Sequence, residues 1–283
     1  MMEKISDIRP SPIAGTWYTS NPAQLRATVD RYIDNASIPD LSGDVLGVIA
    51  PHAGYRYSGP VAGHAFKAVK GHAYEYIVVL SPLHQYHSQP ILTSGHDAYQ
   101  TPLGTIPLAK DMLNEIDNSL KENFGIGLTR IRNDQEHSLE IELPFLQQAI
   151  AGEFKLVPLM LREQTKRFSK GLGKILAEIL DGKSFLMVAS SDLSHFHPES
   201  LANKLDHRVL QAVDNFSPEK LFDLRDSGAG EACGLAPMAA ILWACQSLGA
   251  DKVTRLSYST SAAGTGDHSS VVGYGAAVIT RSR

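Results

Sequence analysis

The chain has 283 residues and 43% hydrophobic content, enough for a substantial core in one large α/β domain or two small ones. Its formal net charge of -4, with no block of like charges, leaves no electrostatic footprint for nucleic acid or an anionic membrane surface. No stretch approaches the roughly 18 apolar residues of a membrane span, and the start "MMEKISDIRPSPIAG" lacks the apolar core of a signal peptide, so a cytoplasmic location is expected.

No internal repeat, low-complexity tract or linker divides the chain, so residues 1–283 are expected to form a single domain. In chain order, "VLGVIA" precedes the helical pattern "PVAGHAFKAVK", and "YIVVLS" follows it. Further on, "LVPLML" precedes "FSKGLGKILAEIL", and "FLMVAS" precedes "ESLANKLDHRVLQAV". This alternation predicts an α/β fold with helices flanking a largely parallel central sheet. Residues 77–80 and 185–189 are continuously apolar, as suits strands covered on both faces.

Between these blocks, "HSLEIELPFLQQAI" spaces Leu139, Leu143, Leu146 and Ile150 by four, three and four residues. That spacing predicts a helix, kinked at Pro144. On it Glu136 and Glu140 share a face, as do His137 and Glu140, which suits either a solvated face or a site. Near the end, "KVTRLSYST" and "SVVGYGAAVIT" predict an antiparallel pair on the same sheet.

Five of the eleven histidines fall just past three predicted strands: His52 after "VLGVIA", His84 and His87 after "YIVVLS", His195 and His197 after "FLMVAS". Ligands of α/β sheets bind at the carboxyl ends of strands, where such loops converge. His64, His72, His96 and His207 lie in helical patterns or polar loops and are assigned to structure or surface. Imidazole serves equally as metal ligand or as acid and base. The stretch "SSDLSH" also offers Ser190, Ser191, Asp192, Ser194 and His195 for a metal-free triad, but the "GxSxG" elbow of a serine hydrolase is missing.

Two cysteines are too few for a disulfide framework. Cys245 falls inside the helical pattern "LAPMAAILWACQSLG" and reads as a small core residue. Cys233 lies just before that helix, whose positive end is expected to favour a thiolate. No CxxC or HExxH pair signals a local zinc module, so a metal site would be assembled from distant segments.

Several motifs occur together in one order: "AGTWY", "IAPHAGYRYSG", "SPLHQYH", "DQEHSLEIELPF", "SSDLSHF", "EACGLAP" and "GDHSSVVGYGAAV". Over nearly its whole length the chain thereby resembles the Memo family, whose bacterial and archaeal members are called AmmeMemoRadiSam system protein B. The resemblance implies a single α/β domain similar to class III extradiol dioxygenases, with a pocket in which two histidines and a cysteine hold a metal. By motif, the ligands are His52, His84 and Cys233, with Asp192 and His195 as catalytic residues beside the metal. In that reading His195 moves protons, Asp192 orients its imidazole or stabilises its charged form, Tyr55 offers a hydroxyl, and Trp17 and Tyr18 line the pocket mouth.

Iron or copper is the favoured metal of such a redox site, with zinc as the further option. A cysteine stands where ring-cleaving enzymes carry a carboxylate, a departure from the dioxygenase pattern. Ile13 stands where some relatives have a histidine, and His87 receives no role. Besides metal-dependent oxidoreductase chemistry on a small-molecule or peptide ligand, the same residues suit a non-catalytic peptide-binding or protein-binding module, or a zinc-dependent hydrolase. The family's name suggests an AMMECR-type protein and a radical SAM enzyme as pathway partners.

Overall fold

Apolar runs of six or seven residues build the centre of the molecule, a computed structural model that describes residues 5–282. The first four residues of the "MMEK" start, on which the reading of the N-terminus partly rests, and Arg283 lie outside the described residues. The first half contains β1 (Ile8–Arg9), α1 (Pro22–Asn35), β2 (Asp44–Ala50), α2 (Tyr55–Lys67), β3 (Tyr76–Pro82), β4 (Ile91–Ser94), β5 (Ala98–Thr101), β6 (Gly104–Pro107), α3 (Lys110–Phe124) and β7 (Thr129–Ile131). There follow α4 (Leu143–Ala149), β8 (Lys155–Leu161), α5 (Lys166–Leu180), β9 (Phe185–Ser190) and β10 (Asp192–His197). The chain continues through α6 (Glu199–Asp214), α7 (Pro218–Asp226), α8 (Leu235–Ser247), β11 (Lys252–Thr260), α9 (Ala262–Thr265) and β12 (Val271–Arg281).

The main sheet runs β10-β12-β2-β9-β3-β8-β4-β7, with β11 also paired to β12. Its centre, β2-β9-β3-β8, is parallel, with Ala50 opposite Ser190 and Leu80 opposite Ala189. These strands are buried along nearly their whole length, the burial that their unbroken apolar runs require. Toward the edges the pairing turns antiparallel, at β4 on β8 and at β12 on β2, so the sheet is mixed around a parallel core. The expected closing pair is β11 on β12, in the same sheet. A second sheet, β1-β5-β6, consists of strands of two to four residues, too short to leave an alternating pattern.

Helix α8 is apolar on every side and is buried from Leu235 through Cys245, so Cys245 is a core residue as expected. Apolar side chains from Ile13 to Ile279 form one contiguous buried cluster. Among the described residues no helix is long and apolar enough to cross a membrane.

The predicted helix over residues 139–150 is shorter than its leucine spacing suggests. Residues Glu140–Glu142 form a 3-10 turn, and Pro144 sits in the first turn of α4 instead of kinking a longer helix. Proline fits a first turn because its missing N–H has no helical partner there. Glu136, in the preceding loop, and Glu140 consequently share no helix face, and neither is solvated: they are 2% and 0% exposed. His195 and His197 likewise lie within β10, because β9 passes into β10 through Ser191 alone.

Candidate metal centre

Because β2, β9 and β3 are parallel neighbours, their carboxyl ends open on one side of the sheet. His52 follows the end of β2 at Ala50, and His84 follows the end of β3 at Pro82. Cys233 arrives from the loop before α8 and is tied to the start of β10: its N–H donates to the Asp192 carbonyl at 3.2 Å, and the Asp192 N–H donates to its sulfur at 3.3 Å. Gly234 permits this approach, since a Cβ there would lie 2.3 Å from the Ser190 carbonyl oxygen.

Donor atoms of His52, His84 and Cys233 all lie within 4.8 Å of one another, with Cys233 Sγ 3.1 Å from His52 Nε2. Ligands of one tetrahedral ion stand about 3.3–3.6 Å apart, so modest side-chain movement brings these three onto a common ion. Each imidazole already has its other nitrogen engaged. His52 Nδ1 shares a 2.8 Å hydrogen bond with Ser190 Oγ, and His84 Nδ1 lies 2.9 Å from Glu136 Oε1. Such outer partners orient the ring and leave Nε2 for the metal. His52 is buried, Cys233 partly buried and His84 exposed, so the group opens to solvent on the His84 side. The donor set therefore fits a metal ion.

Burial, together with the neighbouring His137 and His84 rings, holds the His52 imidazole well below its ordinary pKa, so the ring is neutral. Burial also pushes the Cys233 thiol up, reinforced by the Asp192 charge. Enclosure of the sulfur thus opposes the thiolate expected from the N–H groups near α8. A cation in the pocket would reverse that balance, since metal ligation displaces the thiol proton.

The loop before the 3-10 turn supplies Glu136 and His137, which the leucine periodicity offered on a helix face, solvated or part of a site, rather than in a loop. Glu136 accepts from the His84 N–H at 2.6 Å and from the backbone of His137 and Ser138 at 3.0 Å each. Burial opposes its charge, but the His84 ring and these N–H groups prevail and hold it well below the usual carboxylate range. His137 stacks between Trp17, at 4.0 Å, and His84, at 4.7 Å between ring centroids. The loop is anchored by the fully buried Arg9, which donates to both carboxylate oxygens of Asp134, to Glu140 Oε2 at 2.6 Å and to the Glu136 carbonyl at 3.0 Å. His84, Glu136 and His137 also satisfy the geometry of a metal group, with Glu136 Oε1 already accepting from the His84 ring and from the backbone of His137 and Ser138.

The remaining expected site residues divide. His195 is half-buried in β10, its ring packed against Phe196 at 5.7 Å between centroids, and burial holds its pKa below the ordinary value. Its backbone N–H donates to Glu231 at 2.8 Å. Asp192 does not orient His195 in the described structure: its carboxylate accepts from the His52 N–H at 2.7 Å and fixes that loop instead. Burial pushes Asp192 up to about 7.

Trp17 lines a cleft of about 480 Å³ with Ala53, Tyr57, Phe196, Val272 and Tyr274. Tyr18 is buried, its hydroxyl donating to Glu140 at 2.7 Å, while its side chain lines a second cleft of about 500 Å³ with Trp17 and Tyr55. Tyr55 is also buried and donates to the Ile141 carbonyl at 2.8 Å, so its hydroxyl does not serve a pocket ligand. His87 accepts from the Gln89 N–H in its own loop.

The sequence profile of the family described as Memo-like protein matches residues 9–278. The chain belongs to this family. Similar Memo-like relatives include a MEMO1 family protein of Nitrosopumilus maritimus, 33% identical over 273 residues, covering 95% of this chain and 98% of the relative. Another, from Methanosarcina barkeri, is 31% identical over 274 residues, covering 96% and 100%. The crystal structure of an uncharacterized protein from Escherichia coli K12 is similar with a TM-score of 0.55 at 13% identity, over 83% of this Memo-like chain and 100% of that one, a likeness of fold alone.

Proposed function

We propose that this Memo-like protein holds one redox-active ion, iron or copper, on His52 Nε2, His84 Nε2 and Cys233 Sγ, and acts as an oxidoreductase on a small molecule or peptide. The observation that supports it is the convergence of three donors from distant loops, with the second nitrogen of each imidazole already bonded. The ion would supply redox chemistry and open positions for an oxidant and a reduced substrate. His195, two residues past Leu193 in β10 and kept neutral by burial, accepts a substrate proton at a ring nitrogen. Asp192 holds the His52 loop in place, and the stacked Trp17 and His137 rings wall the approach.

Protein purified without chelators, or loaded anaerobically with Fe(II), is expected to carry about one ion per chain. His52→Ala and Cys233→Ser should each lose it; unchanged metal content in both would remove the assignment. Oxygen uptake with catechols or other reductants should depend on His195, whereas a zinc hydrolase would work with zinc and no oxygen. The apolar cleft beside Trp17 supports a second reading, a module that binds a peptide without turnover. Peptide binding that survives both ligand substitutions but fails in Trp17→Ala would favour that reading.

A further inference from the structure

Ser190, which meets the Nδ1 edge of His52, also meets a buried carboxyl that the metal reading leaves unused. Glu142, last residue of the 3-10 turn before α4, is 1% exposed. Its Oε1 stands 2.8 Å from Ser190 Oγ, which is itself 2.8 Å from His52 Nδ1 and 2.6 Å from the Ser138 carbonyl oxygen. Glu142 Oε2 has no hydrogen-bond partner among the described residues. Arg9 directs its ion pairs to Asp134 and Glu140.

A hydroxyl has one proton to give and two lone pairs to offer. The Ser138 carbonyl only accepts, so the 2.6 Å contact takes the Ser190 proton. His52 Nδ1 and Glu142 Oε1 then both meet Ser190 Oγ as an acceptor, and each must bring a proton of its own. We propose that Glu142 is a neutral carboxylic acid that donates to Ser190 Oγ, so that Ser190 holds His52 in the tautomer with Nδ1 protonated and Nε2 free for metal. The role of that tautomer rests on the metal site proposed above; the protonation of Glu142 does not.

The opposite pattern, with Ser190 donating to an ionised Glu142, leaves the short Ser138 contact without a hydrogen. It also leaves a charged oxygen buried and unpaired, among the least favourable arrangements in a protein interior. Burial pushes the Glu142 carboxyl well above the ordinary range, the Ser190 hydrogen bond opposes this, and the Asp192 charge adds to it. Tyr55, the other titratable group that senses Glu142, is itself pushed up by burial and stays neutral. Glu142 is therefore a positioning residue: with both Ser190 lone pairs occupied and its proton on Ser138, the other His52 tautomer has no donor to lean on.

Infrared difference spectra of metal-free wild-type protein against Glu142→Gln at pH 8 test the protonation directly. The carbonyl band of a protonated carboxylic acid is expected in the wild type and absent from the variant; no such band overturns the proposal, whatever the metal does. Nitrogen NMR of the metal-free protein should show His52 protonated at Nδ1 in the wild type and in Glu142→Gln, whose amide N–H replaces the acid proton. In an anaerobic Fe(II) titration Glu142→Gln should stay close to wild-type affinity, while Ser190→Ala weakens binding about 10-fold. If Glu142→Gln weakens binding as much as Ser190→Ala, Glu142 works as a carboxylate and the proposal is wrong.

Discussion

Cys233 Sγ and His52 Nε2 stand 3.1 Å apart although 181 residues separate them in the chain. The approach follows from the sheet: β2 and β9 are parallel neighbours, β9 runs directly into β10, and the backbone of Asp192 in β10 clasps Cys233. Nothing local to either residue produces the pair.

His84 is aimed by Glu136, which holds both its ring nitrogen and its backbone N–H. Glu136→Gln replaces one acceptor with a donor and disturbs both. Fe(II) affinity is expected to fall about 10–100-fold, the usual effect of removing an outer partner of a ligating imidazole. An isothermal titration showing wild-type affinity would contradict this role.

His137 is held to a pKa of about 4, because burial outweighs the favourable charge of Glu136. In the unfolded chain it titrates near ~6.5. Between those values the unfolded chain binds a proton that the folded chain refuses, so this group's contribution to stability grows as pH rises and is complete above the unfolded value. Asp192, raised to about 7, works in the opposite sense over much of that range, so the informative quantity is a difference. The unfolding free energy of metal-free wild type relative to His137→Phe should rise by about 2 kcal/mol from pH 5 to pH 7. A difference that stays constant over that interval would count against a neutral, buried His137.

Arg9 is a buried cation with two buried carboxylate partners, Asp134 and Glu140. Arg9→Met leaves both without their counter-ion, a change expected to cost about 3–5 kcal/mol in denaturant unfolding. A loss below about 1 kcal/mol, the scale of an exposed ion pair, would show that the network contributes little.

The parallel core was legible because strands buried on both faces must be continuously apolar, and residues 77–80 and 185–189 are. His52, His84 and Cys233 stood out by position, just past strands or just before a helix, and the fold brings these ends together. The role of Glu136 was hidden because its partner is 52 residues away and because the leucine spacing through Leu139 and Leu143 made the turn look like one helix. Tyr18 and Tyr55 misled for a related reason. Their motif neighbours line the site, but their hydroxyls satisfy buried acceptors, Glu140 and the Ile141 carbonyl, which no local pattern reveals.

Gly234 lies where no side chain fits, since a Cβ would come within 2.3 Å of the Ser190 carbonyl and 2.6 Å of Ser191 Cβ. Gly234→Ala must push the Cys233 loop away from β9. A destabilisation of about 1–3 kcal/mol is expected, as for other overpacked sites, with weakened metal binding. Unaltered stability and affinity would show that the loop yields freely.

Metal-edge X-ray absorption of the Fe(II)-loaded protein reports most directly on whether these three side chains share an ion. One sulfur at about 2.3 Å with imidazole nitrogens is expected in the first shell, the sulfur disappearing in Cys233→Ser. A shell of nitrogen and oxygen alone, identical in the two proteins, would mean that Cys233 does not ligate the metal and that the centre described above is not the binding site.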